Sequence, residues 1–276
     1  MTMRKNWQMT KIILLAALAL AICVGASCKK SETPPPVKPP APATKEAPKP
    51  AAPAPAAPTA PTTPAAPAAQ TAPATGDVKL VPLNIELPKP MFVGTPQDIK
   101  VENLEKPLGK PRPPFLAPEG TVLLSRGKPV SASDEEPIIG EIEMITDGDK
   151  EAADGSYVEL GPSTQHVTID LEREYNIYAI VVWHYHKQAR VYYDVVVQVA
   201  DDADFITNVK TLFNNDIDNS AGLGVGKDKH YTETNEGKLI DAKGVKARYV
   251  RLYSKGNTSN DLNHYIEVAV YGKPAQ

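Results

Sequence analysis

The chain has 276 residues, of which 28 are proline and two are cysteine, and its formal charge at pH 7 is −3. A mildly acidic chain lacks the excess of Lys and Arg that nucleic-acid binding requires, so we expect no nucleic-acid partner. Charged residues make up 23% of the chain and aromatic residues 6%. These proportions exclude no globular fold by themselves. The fold class therefore has to be inferred from the order of the segments along the chain.

Residues 1–27 have the pattern of a bacterial lipoprotein signal. Basic residues come first, and an apolar run at 12–24 follows that is too short for a comfortable membrane span. The small residues of "GAS" then precede Cys28, which we predict to be acylated after cleavage. An ordinary secretory signal, with Cys28 incidental, is the alternative.

Cleavage at this position decides the chemistry of the mature chain. Cys23 leaves with the signal, so Cys28 remains as the single cysteine, which excludes an intrachain disulfide, a zinc-thiolate site and a cysteine nucleophile. The signal carries three basic residues and no acid, so the mature formal charge becomes −6. We predict a membrane partner reached through the lipid. The lysines at 29–30 favour the outer membrane of the cell envelope. They do not indicate whether the protein faces the periplasm or the cell exterior.

Two proline-rich segments follow the signal. Residues 28–76 are almost entirely Pro, Ala, Thr and Lys, so we predict a disordered, extended linker or stalk. Residues 77–118 keep the prolines but add large apolar residues, among them Leu83, Ile85 and Phe115. Prolines at this density disfavour helices and central strands. We therefore predict an extended arm that packs on the domain that follows.

Residues 119–273 have the composition of a compact β domain. Short apolar or alternating runs recur between clusters of Gly, Asn and Asp. The runs are 166–171, 177–185, 191–200, 208–213, 247–254 and 265–272. The segment 214–237 is rich in Gly and Asp and is predicted to be a loop, with Asp216 and Asp218 as further metal candidates. These features predict an all-β antiparallel sandwich.

Six motifs in order carry a family resemblance. They are "LLSRGKPVSAS" at 123–133, "ITDGD" at 145–149, "HVTIDLEREYNIYAIVVW" at 166–183, "YYDVVVQVADDADF" at 192–205, "ARYVRLYS" at 247–254 and "YIEVAVYG" at 265–272. Together they resemble the discoidin, or coagulation-factor type C, domain family, which overlaps family 32 carbohydrate-binding modules. The resemblance implies a jelly-roll-like β-sandwich of the galactose-binding-domain type. It does not fix the ligand, because such families bind sugars, lipid headgroups or proteins.

The acidic stretch "MITDGDKEAADGSYVEL" at 144–160 raises the question of a calcium site. Its spacing does not fit an EF-hand, since Ala152 stands where that loop needs glycine and Val158 where it needs glutamate. The family resemblance implies instead a structural calcium ion held by Asp147 and Glu267, with Asp149 adding an oxygen. The alternative is that the two aspartates only form a turn.

The ligand candidates come from two polar stretches, 181–194 and 253–265. We predict that carbohydrate binds to imidazole, guanidinium, amide and aromatic groups at one end of the sandwich. The candidate residues are His184, His186, Arg190, Tyr192, Asn257, Asn260 and His264. Zinc at the His184 and His186 pair, and ordinary polar turns, are the alternatives.

The sequence thus predicts a lipid-anchored, non-catalytic envelope protein that displays a glycan-binding module. No serine-hydrolase, zinc-protease or phosphate-loop motif stands in it, so we expect no enzyme activity. The alternative is a scaffold or protein–protein interaction domain without a sugar site. An exposed aromatic beside Arg190 would favour the first reading, and an exposed apolar patch would favour the second.

Overall fold

The structure, a computed structural model, describes residues 78–92 and 99–275. The predicted signal, Cys28 and the linker lie outside these residues. The strands are β1 (Leu80–Pro82), β2 (Leu116–Pro118), β3 (Val122–Leu123), β4 (Val130–Ala132), β5 (Val158–Leu160), β6 (Gln165–Trp183), β7 (Val196–Ala200), β8 (Lys210–Asn214), β9 (Lys238–Ser254), β10 (Asn263–Tyr265) and β11 (Glu267–Pro274), and a 3₁₀ helix spans Ile142–Thr146. Within the described ranges, no helix is long and apolar enough to cross a membrane.

The strands pair antiparallel throughout. The main sheet has the order β3-β11-β6-β9-β7-β8, and β4 pairs with β6 beside this path. Two small ribbons, β1-β2 and β10-β5, complete the fold. The predicted all-β antiparallel sandwich is confirmed.

Strand boundaries differ from the prediction at several places, two of which affect the site. The run at 166–171 and residues 177–183 of the next run are parts of one strand, β6, which continues through a register shift between Asp170 and Tyr175 and ends at Trp183. The run at 191–200 is a strand only from Val196, and that part of the prediction is wrong. The reason is Asp194, whose φ of 51° is left-handed and breaks the extended chain.

The last part of β6, residues 179–183, is buried on both faces, which explains its continuous apolar sequence. Ile180 and Val182 belong to the main core between the layers. Ala179, Val181 and Trp183 point the other way, into a second apolar cluster with residues of β11. A strand with one wet face would instead alternate apolar and polar residues.

The arm supplies the cover for that second cluster. The backbone N–H of Leu83 donates to the carbonyl of Phe115 at 2.8 Å, which continues the β1-β2 ribbon by one step. Half-buried Leu83, Ile85 and Phe115 pack against the cluster. The arm therefore lies on the outer face of the main sheet.

Four loops matter for the site. The acidic loop, 147–157, leads into β5, and the ligand loop, 184–195, joins β6 to β7. The insertion loop, 215–237, joins β8 to β9, and the segment 255–262 joins β9 to β10. Because β5, β6 and β10 all end near these loops, polar side chains from distant parts of the sequence come together there.

Candidate functional site

The ligand loop and segment 255–262 are joined along their backbones. Tyr192 forms an isolated bridge with Asn257. The N–H of Tyr193 donates to the Gly256 carbonyl at 3.1 Å, and the N–H of Thr258 donates to the Val191 carbonyl at 3.0 Å. The two stretches singled out in the sequence thus form one surface at the end of the sandwich.

A hydrogen-bonded chain runs through this surface. Tyr192 Oη lies 3.1 Å from His264 Nδ1, and His264 Nε2 lies 2.9 Å from a carboxylate oxygen of Glu159. Burial, reinforced by the positive charge of Arg190, lowers the pKa of His264 to about 3. A neutral imidazole has one N–H, and the Glu159 carboxylate can only accept. His264 therefore donates from Nε2, and the Tyr192 hydroxyl donates to its Nδ1.

The contact between His264 and Glu159 is short enough for an ion pair, but the depressed imidazole pKa makes it a hydrogen bond from a neutral ring to a carboxylate. Burial raises the pKa of Glu159, and Arg190 opposes that rise. The side chain of Glu159 remains 12% exposed. One of its oxygens is thus held by His264, which leaves the other as an acceptor at the rim of the surface.

Arg190 is a partly exposed cation of this region. Its guanidinium lies over the ring of Tyr185, 4.8 Å from the ring centroid. Its Nε and Nη1 atoms are buried and have no hydrogen-bond partner among the residues that the structure describes. Tyr185 in turn packs against half-exposed Tyr157, with 4.7 Å between ring centroids. Aromatic faces, a guanidinium and a carboxylate therefore adjoin at one place.

His184 lies behind these groups and is fully buried. Its ring stacks on Tyr192 at 4.3 Å between centroids, and its Nδ1 lies 2.6 Å from a carboxylate oxygen of Glu233. Because Glu233 is also fully buried, this pair holds the aromatic rings in place from within and is not presented to a ligand.

The remaining predicted ligand residues are engaged elsewhere. His186 is fully buried, and its Nε2 lies 3.0 Å from the carbonyl oxygen of Lys150 in the acidic loop. Asn257 donates to the Asn260 side chain at 2.7 Å and to the Leu262 carbonyl at 2.9 Å. The structure thus brings Arg190, Tyr192 and His264 together, with Arg190 partly exposed and Tyr192 and His264 buried beneath it. The other four candidates lie behind them or within the loops.

The acidic loop meets β11 at Glu267. The Gly148 N–H donates to one oxygen of the fully buried Glu267 at 3.1 Å, and the other oxygen has no partner in the described chain. Burial raises the pKa of Glu267 to about 8. A buried carboxylate with an unused oxygen, beside exposed Asp147 and Asp149, is the kind of hard oxygen donor set that calcium prefers.

Side-chain cations also lie near this loop. The positive charges of Lys150 and Arg126 lower the pKa of Glu267, though less than burial raises it. Asp147 and Asp149 accept backbone N–H groups of Asp149 and Glu151 at 2.7 and 2.9 Å, as turn-forming aspartates do. The donor set therefore fits a hard cation in its chemistry, and the predicted calcium site stays a prediction.

A different acidic group gathers more tightly. Carboxylate oxygens of Asp194, Asp216 and Asp218 lie within 4.8 Å of one another. Both oxygens of Asp216 accept backbone N–H groups, from Ser220 and Ala221. These hydrogen bonds stabilise the first turn of the insertion loop, which explains why the aspartates lie together.

Among known proteins, the chain is similar to solved structures only. No family model and no curated protein matches the chain. One similar structure is a truncated AlyQ with carbohydrate-binding and alginate lyase domains, at 17% identity and a TM-score of 0.42. The match covers 56% of this chain and 34% of that one, so the chain spans about a third of that protein's length.

Two further matches are isolated modules. One is a family 32 carbohydrate-binding module from a Clostridium perfringens family 89 glycoside hydrolase, in complex with GalNAc-β-1,3-galactose, at 15% identity, a TM-score of 0.40 and coverage of 54% and 99% of the two chains. The other is a Streptococcus pneumoniae fucose-binding module, at 16% identity, a TM-score of 0.39 and coverage of 54% and 97%. The likeness to these modules is one of fold.

Proposed function

We propose that this chain is a non-catalytic carbohydrate-binding module whose site lies around Arg190. The observation that carries the proposal is the pair of buried guanidinium nitrogens of Arg190 that lack a partner in the described chain, close enough to Glu159 for the arginine charge to lower the pKa of that carboxyl group. A sugar hydroxyl both donates and accepts a hydrogen bond, so it satisfies a carboxylate and a guanidinium together. The partly exposed ring of Tyr157, which packs on the buried ring of Tyr185, provides apolar area against which a sugar face packs.

The arrangement supports binding without catalysis. Glycoside hydrolysis uses two carboxyl groups that flank the scissile bond. The Glu159 side chain remains 12% exposed, whereas Glu233 is fully buried against His184. A ligand seated on Tyr157 therefore reaches one carboxylate of this pair, which suffices for recognition.

The scaffold alternative has less support. It calls for a large apolar patch where another protein would dock. The apolar outer face of β6 and β11 is covered by Leu83, Ile85 and Phe115 of the chain's own arm. The arm thus takes the surface that a protein partner would need.

The pH dependence of glycan binding tests the role of Glu159. Its pKa is raised by burial, so the carboxylate acquires its proton at a higher pH than an ordinary glutamate does. The protonated form loses an acceptor, and we expect affinity to fall as the pH is lowered from 7 through this raised pKa. Isothermal titration at several pH values measures the effect.

Glu159→Gln is the matched control for that experiment. The amide keeps an acceptor for His264 Nε2 and does not titrate, so the variant should bind more weakly at pH 7 and show no further loss on acidification. A pH profile that is the same in both proteins would remove Glu159 from the site.

Calcium is proposed as a structural cofactor bound by Asp147, Asp149 and Glu267. The support is the buried, unpartnered oxygen of Glu267, which a cation would neutralise. With calcium at one hundred times its dissociation constant, binding would add about 2.7 kcal/mol to the stability. That corresponds to a rise in melting temperature of roughly 5–10 °C for a domain of this size.

Glu267→Gln should abolish the calcium response. In chelator at pH 7, the variant should melt close to the wild type, because the raised pKa keeps Glu267 largely protonated and the amide is a neutral group of similar shape. Scanning calorimetry with calcium and with chelator gives both values. A wild-type melting temperature that calcium leaves unchanged would rule out the site.

Attachment to the cell envelope is proposed through an acylated Cys28, with 28–76 as a stalk and the outer membrane as its destination. The support is the order of basic, apolar and small residues before Cys28. Cys28→Ser should move the protein from the membrane fraction to the soluble fraction on fractionation and remove its lipid mass. Retention of the serine variant in membranes would count against the anchor.

A further inference from the structure

The arm is hydrogen-bonded to the insertion loop at two places, here called grips. The first lies close to His230. The N–H of Glu105 donates to the His230 carbonyl at 2.8 Å, and the N–H of His230 donates to the Asn103 carbonyl at 3.1 Å. The Asn103 side chain donates to the Asp228 carbonyl at 3.1 Å, and His230 Nδ1 donates to the Glu102 carbonyl at the same distance. These hydrogen bonds form a short two-stranded bridge between the arm and the insertion loop.

Arg112 provides a second grip, at the end of the insertion loop. Its backbone N–H lies 3.2 Å from both carboxylate oxygens of Glu236. Its guanidinium donates to the carbonyls of Glu236 and Gly237 at 3.1 and 3.0 Å. The arm also accepts a hydrogen bond at the Pro88 carbonyl from the Asn235 side chain, at 3.0 Å.

Between these two grips the insertion loop meets the ligand site. The N–H of Glu233 donates to the Arg190 carbonyl at 2.8 Å. The Glu233 carboxylate binds the His184 ring at 2.6 Å. The indole N–H of Trp183 donates to the Asn235 carbonyl at 2.9 Å. The backbone of Arg190 and the ring behind Tyr192 are therefore both set by the insertion loop.

We propose that the arm is a positioning element of the ligand site, acting through the insertion loop on Arg190 and His184. This rests on the proposed function, in which Arg190 contacts the glycan. A long loop without regular structure samples many conformations unless it is tied down. Fixing it in advance lowers the entropy that binding has to overcome, so the arm should increase glycan affinity without touching the glycan.

The experiment compares Arg112→Ala with Arg173→Ala in the full chain. Arg173 is an exposed arginine that bonds Tyr175 away from the insertion loop, so it controls for loss of an arginine side chain. All proteins carry Trp7→Phe, which leaves Trp183 as the only tryptophan. In Arg112→Ala we expect amide exchange of Glu233 to rise at least tenfold and Trp183 emission to shift to longer wavelength. Amides of β9 should keep their exchange rates, and Arg173→Ala should match the wild type.

A double variant, Asn103→Gly with Arg112→Ala, loosens both grips and should enlarge both effects. Unchanged exchange at Glu233 and unchanged Trp183 emission in this variant would overturn the proposal. On a glycan array, Arg112→Ala should bind the glycan that the wild type prefers about tenfold more weakly, and equal binding would also overturn it. If the wild type binds no glycan, the proposed function fails, while the exchange and emission results still decide whether the arm positions Arg190.

Discussion

Glu233→Ala is expected to lower the free energy of unfolding by about 3 kcal/mol, the cost typical of breaking a buried polar pair. Glu233 and His184 are both fully buried, at 2.6 Å. Without the carboxylate, the Nδ1–H of His184 keeps no good acceptor, since Tyr231 Oη lies at 3.5 Å. Urea unfolding followed by circular dichroism measures the loss.

Glu233→Gln is the matched control, because its side-chain carbonyl can still accept from His184. We expect this variant to lose about 1 kcal/mol or less. Equal stabilities for the alanine variant and the wild type would mean that the pair does not hold the ligand loop. The description of His184 as an internal support for Tyr192 would then be wrong.

Arg190→Ala is expected to weaken glycan binding at least 100-fold. Hydrogen bonds to charged groups contribute about 1.5–3 kcal/mol each, and two guanidinium nitrogens of Arg190 have no partner in the described structure. A loss of roughly 3 kcal/mol corresponds to about two orders of magnitude in dissociation constant. Isothermal titration with the best glycan from an array gives the ratio.

Arg190→Lys separates charge from geometry. Lysine keeps the positive charge but loses the planar fork and its stacking on Tyr185. It should therefore recover only a small part of the affinity, and Arg173→Ala should retain all of it. Wild-type affinity in Arg190→Ala would move the site away from the ligand loop.

The sandwich was predictable because its strands carry local signals. The apolar run of β6 and the alternating run of β9 mark strands without any knowledge of their partners. The start of β7 was not predictable from the run 191–200. The left-handed turn at Asp194, which precedes the strand, depends on contacts with distant parts of the fold. The double burial of β6 became explicable only with the arm on its outer face.

The candidate site was predictable in part. Arg190, Tyr192 and His264 belong to the polar stretches 181–194 and 253–265, whose composition differs from that of the apolar runs beside them. Glu159 and Glu233 did not stand out, since single acids occur throughout the chain and their roles come from long-range pairing with His264 and His184. Tyr157 and Tyr185 carry no such signal either, because the local sequence pattern does not indicate that two distant rings will meet.

The most direct test of the central claim is a glycan-array and polysaccharide screen of the folded chain, run beside Arg190→Ala, with calcium and with chelator. The account predicts saturable binding of the wild type to at least one glycan, with that signal lost in Arg190→Ala. It would be contradicted by a folded wild type that binds no glycan under either condition, or by binding that Arg190→Ala retains in full.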